Sequence, residues 1–247
     1  MMNATLEKMT ELRFYGMRKA YELSMETGGV GDFTSDELIT WLIEAEYNDR
    51  HNRKIERLIK QARFRYQASI EQINYAPKRE LDKNLLLRLA GGDYLTRKEN
   101  ILITGPTGAG KSYIASALGH QACVTGYKVM YLNMAKLFAK LKMTQADGSY
   151  NREINKLRKQ DLIILDDFGL HPMDRESVLS LLEIIEDRHG IRSTIITSQL
   201  PVNKWHELLG DQTIADAILD RLVHSSHRIE LKGESMRKTM NKINKID

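Results

Sequence analysis

Cysteine is almost missing from this chain. Cys123 is the single thiol among 247 residues, which excludes an intrachain disulfide framework and leaves no cysteine cluster to ligate a metal. Long apolar runs are missing too, so no segment reads as a membrane span. The stretch 1–9, with Glu7 and Lys8, has no apolar h-region or small-residue cleavage site. These absences set the expectation of a cytoplasmic protein with no membrane partner. Aromatic residues are sparse around the most basic stretch, where Phe64 and Tyr66 serve equally well as core, so a base-stacking surface is not indicated. No internal repeat or low-complexity tract is present. His224 and His227 lie three apart, but no carboxylate or cysteine completes a ligand set.

An apolar content of 42% and a charged content of 28% are those of a globular chain long enough for one ordinary domain and a smaller appendage. The net charge of +4 is less telling than its distribution. Arg50, Arg53, Lys54, Arg57, Lys60, Arg63 and Arg65 face a single acid, Glu56, within residues 50–65. On a continuous helix Arg50, Arg53, Lys54, Arg57 and Lys60 follow i, i+3, i+4 spacing and form one basic face. Such a face suits the phosphates of double-stranded DNA, with sequence-tolerant, salt-sensitive binding. The plain alternative is a solvated helix face.

Texture changes along the chain. The first segment, with Leu6, Met9, Leu12, Phe14, Met17, Ala20, Tyr21 and Leu23, reads as helical up to Gly28-Gly29. Thr34-Ser35-Asp36-Glu37 has capping-box spacing and opens a long helix that carries the basic residues. Leu81–Leu89 forms a short helix ended by Gly91-Gly92. A domain boundary is expected at Pro77, giving a small all-helical N-terminal domain, 1–77, and a second domain, 78–247. From Asn100 onward, short apolar strands alternate with helical stretches, the pattern of an α/β fold with a parallel sheet between helices. Five strands are expected: Ile101–Thr104, Lys128–Leu132, Leu162–Leu165, Ser193–Thr197 and Arg228–Leu231.

Gly105, Pro106, Thr107, Gly108, Ala109, Gly110, Lys111 and Ser112 match the P-loop pattern between a strand and a helix. The glycines let consecutive backbone N–H groups converge, and the helix N-terminus adds positive potential, so a nucleoside triphosphate is the natural occupant. Lys111 reaches the β- and γ-phosphates in such a loop and Ser112 supplies an oxygen to Mg²⁺. Leu162–Leu165 followed by Asp166 and Asp167 looks like the partner acid strand. Alternation along the strand would aim Asp166 at the metal and Asp167, the candidate general base, towards a water.

These motifs, with Ile195-Ile196-Thr197-Ser198-Gln199 and Asp220-Arg221-Leu222, resemble the IstB and DnaC branch of AAA+ ATPases. Leu12-Arg13-Phe14-Tyr15-Gly16-Met17, Leu42-Ile43-Glu44-Ala45-Glu46 and Ala62-Arg63-Phe64 resemble the IstB type, helper ATPases of a transposase in an insertion sequence. The resemblance implies an ATPase that uses ATP and Mg²⁺. It further implies an oligomer on target duplex DNA that recruits or stimulates a transposase; a DnaC-like replicative helicase loader is the alternative. Ser198 and Gln199 fall at the family's sensor-1 position, Arg221 at its arginine finger acting on a neighbouring subunit's ATP, and Arg237 at sensor 2. Asp167 stands where this class more often has Glu, and Gln199 where Asn is commoner. A P-loop small-molecule kinase and an ATP-locked scaffold with little turnover are more distant readings.

Overall fold

Apolar side chains at every second position, and on both faces, mark strands buried between helices. In the computed structural model, which describes residues 2–27 and 33–233, five such strands form one sheet. They are β1 (Asn100–Thr104), β2 (Val129–Asn133), β3 (Leu162–Phe168), β4 (Ser193–Ser198) and β5 (Ser226–Glu230). Their order is β2-β3-β4-β1-β5, and each neighbouring pair is parallel. All five expected strands are present. β3 continues past Leu165, and that extension carries both acids of the site.

The α-helices of the described residues are α1 (Met2–Glu11), α2 (Tyr15–Glu26), α3 (Ser35–Ala62), α4 (Lys83–Ala90), α5 (Asp93–Thr96), α6 (Lys111–Val124), α7 (Met134–Ala146), α8 (Tyr150–Arg158), α9 (Arg175–Arg188), α10 (Trp205–Leu209) and α11 (Gln212–Val223), with short 3-10 turns at Pro77–Arg79 and Val202–Lys204. Ile101, Ile103, Leu162, Ile164 and Ile195 pack in one core with Ile114, Leu118 and Ala122 of α6 and with Leu86 and Leu89 of α4. Their strand neighbours Leu102, Ile163, Leu165 and Ile196 pack in a second core with residues of α7, α9 and α11. Side-chain alternation therefore divides one sheet between two helical layers. Asp82, Asn133, Asp174 and Asp211 cap α4, α7, α9 and α11 by accepting backbone N–H groups of the first turn, which the helix ends otherwise leave without a partner.

The chain divides into two compact units, Met1–Arg57 and Leu58–Asp247. The boundary expected at Pro77 falls inside the second unit, because Leu58, Ala62, Ala68, Ile70 and Ile73 are buried in the core that also holds α6.

In the first unit, the single helix expected before Gly28-Gly29 is two. Arg13 has φ 59, a left-handed conformation that interrupts a helix, and Phe14 N closes the turn on Met9 O. Gly16 lets α2 approach α3: a Cβ there would lie 2.4 Å from Ala45 O. The Glu46 carboxylate, buried, accepts Gly16 N and Met17 N at 2.8 and 3.2 Å, capping α2 from across the helix pair. The predicted capping box is formed, with Thr34 N donating to Glu37 and Glu37 N to Thr34 Oγ1. Gly28-Gly29 lies outside the described residues.

Candidate functional site

β1 ends at Thr104 and α6 begins at Lys111, so Gly105–Gly110 must turn the chain within one loop. Gly105, Gly108 and Gly110 have φ 143, 80 and 95, values that side-chain-bearing residues rarely adopt. Space is also short there. A Cβ on Gly105 would lie 2.3 Å from Leu231 O, and one on Gly110 2.7 Å from Arg79 Nη2. Lys111 Nζ donates to the carbonyls of Gly105 and Pro106 at 2.8 and 2.9 Å, so the ammonium lies over its own loop. Thr107, Gly108, Gly110, Lys111 and Ser112 line a cavity of about 530 Å³ with Asp167 and Gln199.

Ser112 Oγ donates to Asp166 Oδ1 at 2.7 Å, bringing helix α6 and strand β3 together at one point. A hydroxyl and a carboxylate so joined at a helix N-terminus are a suitable donor set for a small divalent cation beside phosphates. Asp166 is fully buried, and a buried carboxylate needs hydrogen bonds on both oxygens. Thr197 Oγ1 donates to Oδ1, Tyr131 OH to Oδ2, and Arg65 Nη1 to Oδ2 at 3.2 Å. Burial first, then the Asp166 carboxylate, raises the Tyr131 pKa, so the phenol stays a donor.

The two acids do not diverge as strand alternation predicts. Between β3 and β4, Leu165 pairs Ile196 whereas Phe168 pairs Ser198, so β3 carries one extra residue, a β-bulge. Asp167 sits in it with φ 65, and the bulge turns its carboxylate to the same side as Asp166. Arg65 Nη1 donates to Asp167 Oδ2 at 3.2 Å, Asn133 Nδ2 donates to the same oxygen at 3.0 Å, and Asp167 N donates to Thr197 Oγ1 at 3.1 Å.

Sequence reasoning missed Arg65, Arg79, Tyr131, Asn133 and Thr197. The first two precede the loop by many residues; Tyr131 lies in a strand read as core, Asn133 one residue past that expected strand, and Thr197 beside the Ser198-Gln199 pair that was singled out instead. Thr197, not Ser198, faces the acid pair: Ser198 Oγ is buried, donates to Phe168 O at 2.8 Å and accepts Leu200 N. Alternation along β4 separates the two hydroxyls. Gln199 Oε1 accepts a bond from Thr107 Oγ1 at 2.7 Å, which ties the end of β4 to the phosphate loop. Arg79, buried, donates to Ala109 O at 2.7 Å and to Asn74 O, and holds the loop from outside.

Arg221 does not line this cavity; it is paired with Glu186 at 2.9 Å and bonds Ala217 O. Arg237 lies outside the described residues. On α3, Arg50 pairs with Glu46 at 2.6 Å and Arg53 with Asp49 at 2.6 Å. Their guanidinium groups also lie over the rings of Phe14 and Tyr15. Two of the five cations of the expected basic face are thus partly neutralised within the first unit. Lys54, Arg57 and Lys60 are exposed.

The fold is shared with solved AAA+ proteins. AMPPCP-bound DnaA from Aquifex aeolicus aligns with a TM-score of 0.59 at 17% identity, over 75% of this chain and 57% of that one. A DnaC helicase loader aligns with 0.56 at 19%, over 68% of this chain and 98% of that one. Sequence relatives are nearer. One provisionally named an insertion sequence ATP-binding protein, from Sinorhizobium fredii, is 45% identical over 234 residues, 95% of this chain and 96% of its own length. The insertion sequence IS21 counterpart from Pseudomonas aeruginosa is 31% identical over 229 residues, 93% and 86% of the two lengths. The family model described as IstB-like ATP binding protein matches residues 7–244. With the phosphate loop and acid pair assembled as above, the chain belongs to the IstB-like ATP-binding proteins of insertion sequences.

Proposed function

We propose that this protein is an ATPase that assembles on target duplex DNA in its ATP state and there recruits or stimulates a transposase. The observation that carries the ATPase reading is the Ser112–Asp166 hydrogen bond, which seats a phosphate loop and an acid pair against each other. Lys111 leaves its loop carbonyls for the β- and γ-phosphates, and the loop N–H groups hold the remaining oxygens. Asp167, held by Asn133, Arg65 and Thr197, orients the attacking water and takes its proton. Ser112 and Asp166 would hold Mg²⁺, which supplies charge neutralisation across the phosphate oxygens when bound.

Arg221 is supplied to a neighbouring subunit's site, where a planar, permanently charged guanidinium meets charge spreading over the transferred phosphoryl group. Its position outside its own cavity and its exchangeable pairing with Glu186 support action in trans. Lys54, Arg57 and Lys60 present charge to the DNA backbone. Strand cutting and joining belong to the partner.

The test is ATP turnover against protein concentration, with and without long duplex DNA, for the wild type, Asp167→Asn, and a mixture of Arg221→Ala with Lys111→Ala. Expected are cooperative, DNA-stimulated turnover, loss of turnover with retained ATP binding in Asp167→Asn, and partial recovery in the mixture. Full activity of Arg221→Ala alone would remove the trans finger, and full activity of Asp167→Asn would remove the base.

A further inference from the structure

The residues after α3 form a strap on the helix of the phosphate loop. Arg63, with φ 56, turns the chain out of α3. Phe64 then presses on α6 where Gly119 makes room for it; a Cβ on Gly119 would lie 2.6 Å from Phe64 Cε1. Tyr66 packs at 6.2 Å, ring to ring, against Tyr113 in the first turn of α6. Arg65 is therefore held between two aromatic anchors, both seated on the element that begins with Lys111.

From there its guanidinium reaches both acids with one nitrogen. Nη1 makes the 3.2 Å contacts to Asp166 Oδ2 and to Asp167 Oδ2. Among the described residues, Nη2 and Nε have no hydrogen-bond acceptor, and the side chain is 42% exposed on the wall of the cavity that Lys111, Thr107 and Gly108 also line. A guanidinium has five donors in a rigid plane and keeps its charge at every ordinary pH. One edge is used on the acids; the rest suits an anion in the cavity, opposite Lys111.

We propose that Arg65 is a phosphate ligand acting in cis, binding the terminal phosphate of the nucleotide with the nitrogens that Asp166 and Asp167 do not use, so that the site distinguishes triphosphate from diphosphate. The proposal deepens the ATPase reading above and rests on it. Because Arg65 follows α3 by three residues, the presence of the terminal phosphate is registered at the end of the helix that carries Lys60. Sequence position gives no hint of this, since Arg65 reads as the last member of a basic run.

The experiment is equilibrium titration of the full chain, in Mg²⁺, with a non-hydrolysable ATP analogue and with ADP, alongside thermal melting, for the wild type, R65A and R65K. R65A is expected to weaken the triphosphate about tenfold or more while moving ADP by less than about twofold, as losing a charge-assisted hydrogen bond would do. R65K should recover part of the difference. Equal weakening of both nucleotides would overturn the proposal and leave Arg65 a prop for the acid pair. Unchanged or tighter triphosphate binding would overturn it as well. Should R65A lose its melting transition, R65Q is titrated in its place and judged by the same criteria. A wild type that binds neither nucleotide would instead sink the ATPase reading itself.

Discussion

Gly105 shows how one missing side chain sets the phosphate site. Its φ of 143 and the 2.3 Å approach of Leu231 O to any Cβ make alanine both strained and overlapping with backbone that cannot rotate away. Gly105→Ala is expected to destabilise the fold by about 2 kcal/mol or more and to abolish nucleotide binding, as read by denaturant unfolding and nucleotide titration. Asp167 illustrates the opposite case, a side chain tolerated at φ 65. Asp and Asn enter the left-handed region more readily than other residues with side chains, which gives a physical reason for Asp where the class more often has Glu. It also means that Asp167→Asn removes the carboxylate's charge without straining the bulge. Cys123, the one thiol, is fully buried and its pKa is pushed up to about 12 by burial, so it is an inert packing residue.

The α2–α3 pair shows what a motif can mean at the scale of elements. Phe14, Tyr15 and Gly16 were legible as part of a family pattern, yet their use is structural: two rings under Arg50 and Arg53, and a glycine at the helix crossing. Glu46 joins the pair. Burial opposes its charge, but the Arg50 guanidinium and the N–H groups of Met17 and Gly16 outweigh burial and hold its pKa below the ordinary 4.5. A carboxyl with a lower pKa folded than unfolded stabilises above the unfolded value, and that contribution disappears as pH falls through the folded one. Circular dichroism melts should therefore lose stability below about pH 4.5. Glu46→Gln should destabilise by about 1–3 kcal/mol at neutral pH and flatten that acid-side loss. The strands, the capping box and the long α3 were all legible because each is a local pattern of period or spacing. The break at Arg13 was not, since apolar periodicity runs through it and the cap on α2 comes from Glu46, thirty residues away.

For the whole molecule, the net charge of +4 is a weak guide to DNA binding, because Arg50 and Arg53 are already paired with acids. The exposed Lys54, Arg57 and Lys60 carry the expectation. Changing all three to Gln should weaken duplex binding across sequences and reduce the salt slope, log K against log salt, by about 2.7, or about 0.9 per phosphate contact. Changing Arg50 and Arg53 should instead lower the melting temperature; an unchanged salt slope in the first variant would show that α3 is not the DNA contact. Sequence alone determined the five strands, the phosphate loop, Ser112 and Asp166, since strand period and glycine spacing are dictated within a few residues of chain. Tertiary structure decided that Thr197 rather than Ser198 faces the acids, that a bulge swings Asp167 beside Asp166, that Arg65 reaches both acids from a segment read as belonging to another domain, and that Arg79 holds the phosphate loop through Ala109 O. Those choices depend on register between strands and on where a buried charge or carbonyl finds its partner. Both are settled only when elements far apart in the chain pack together.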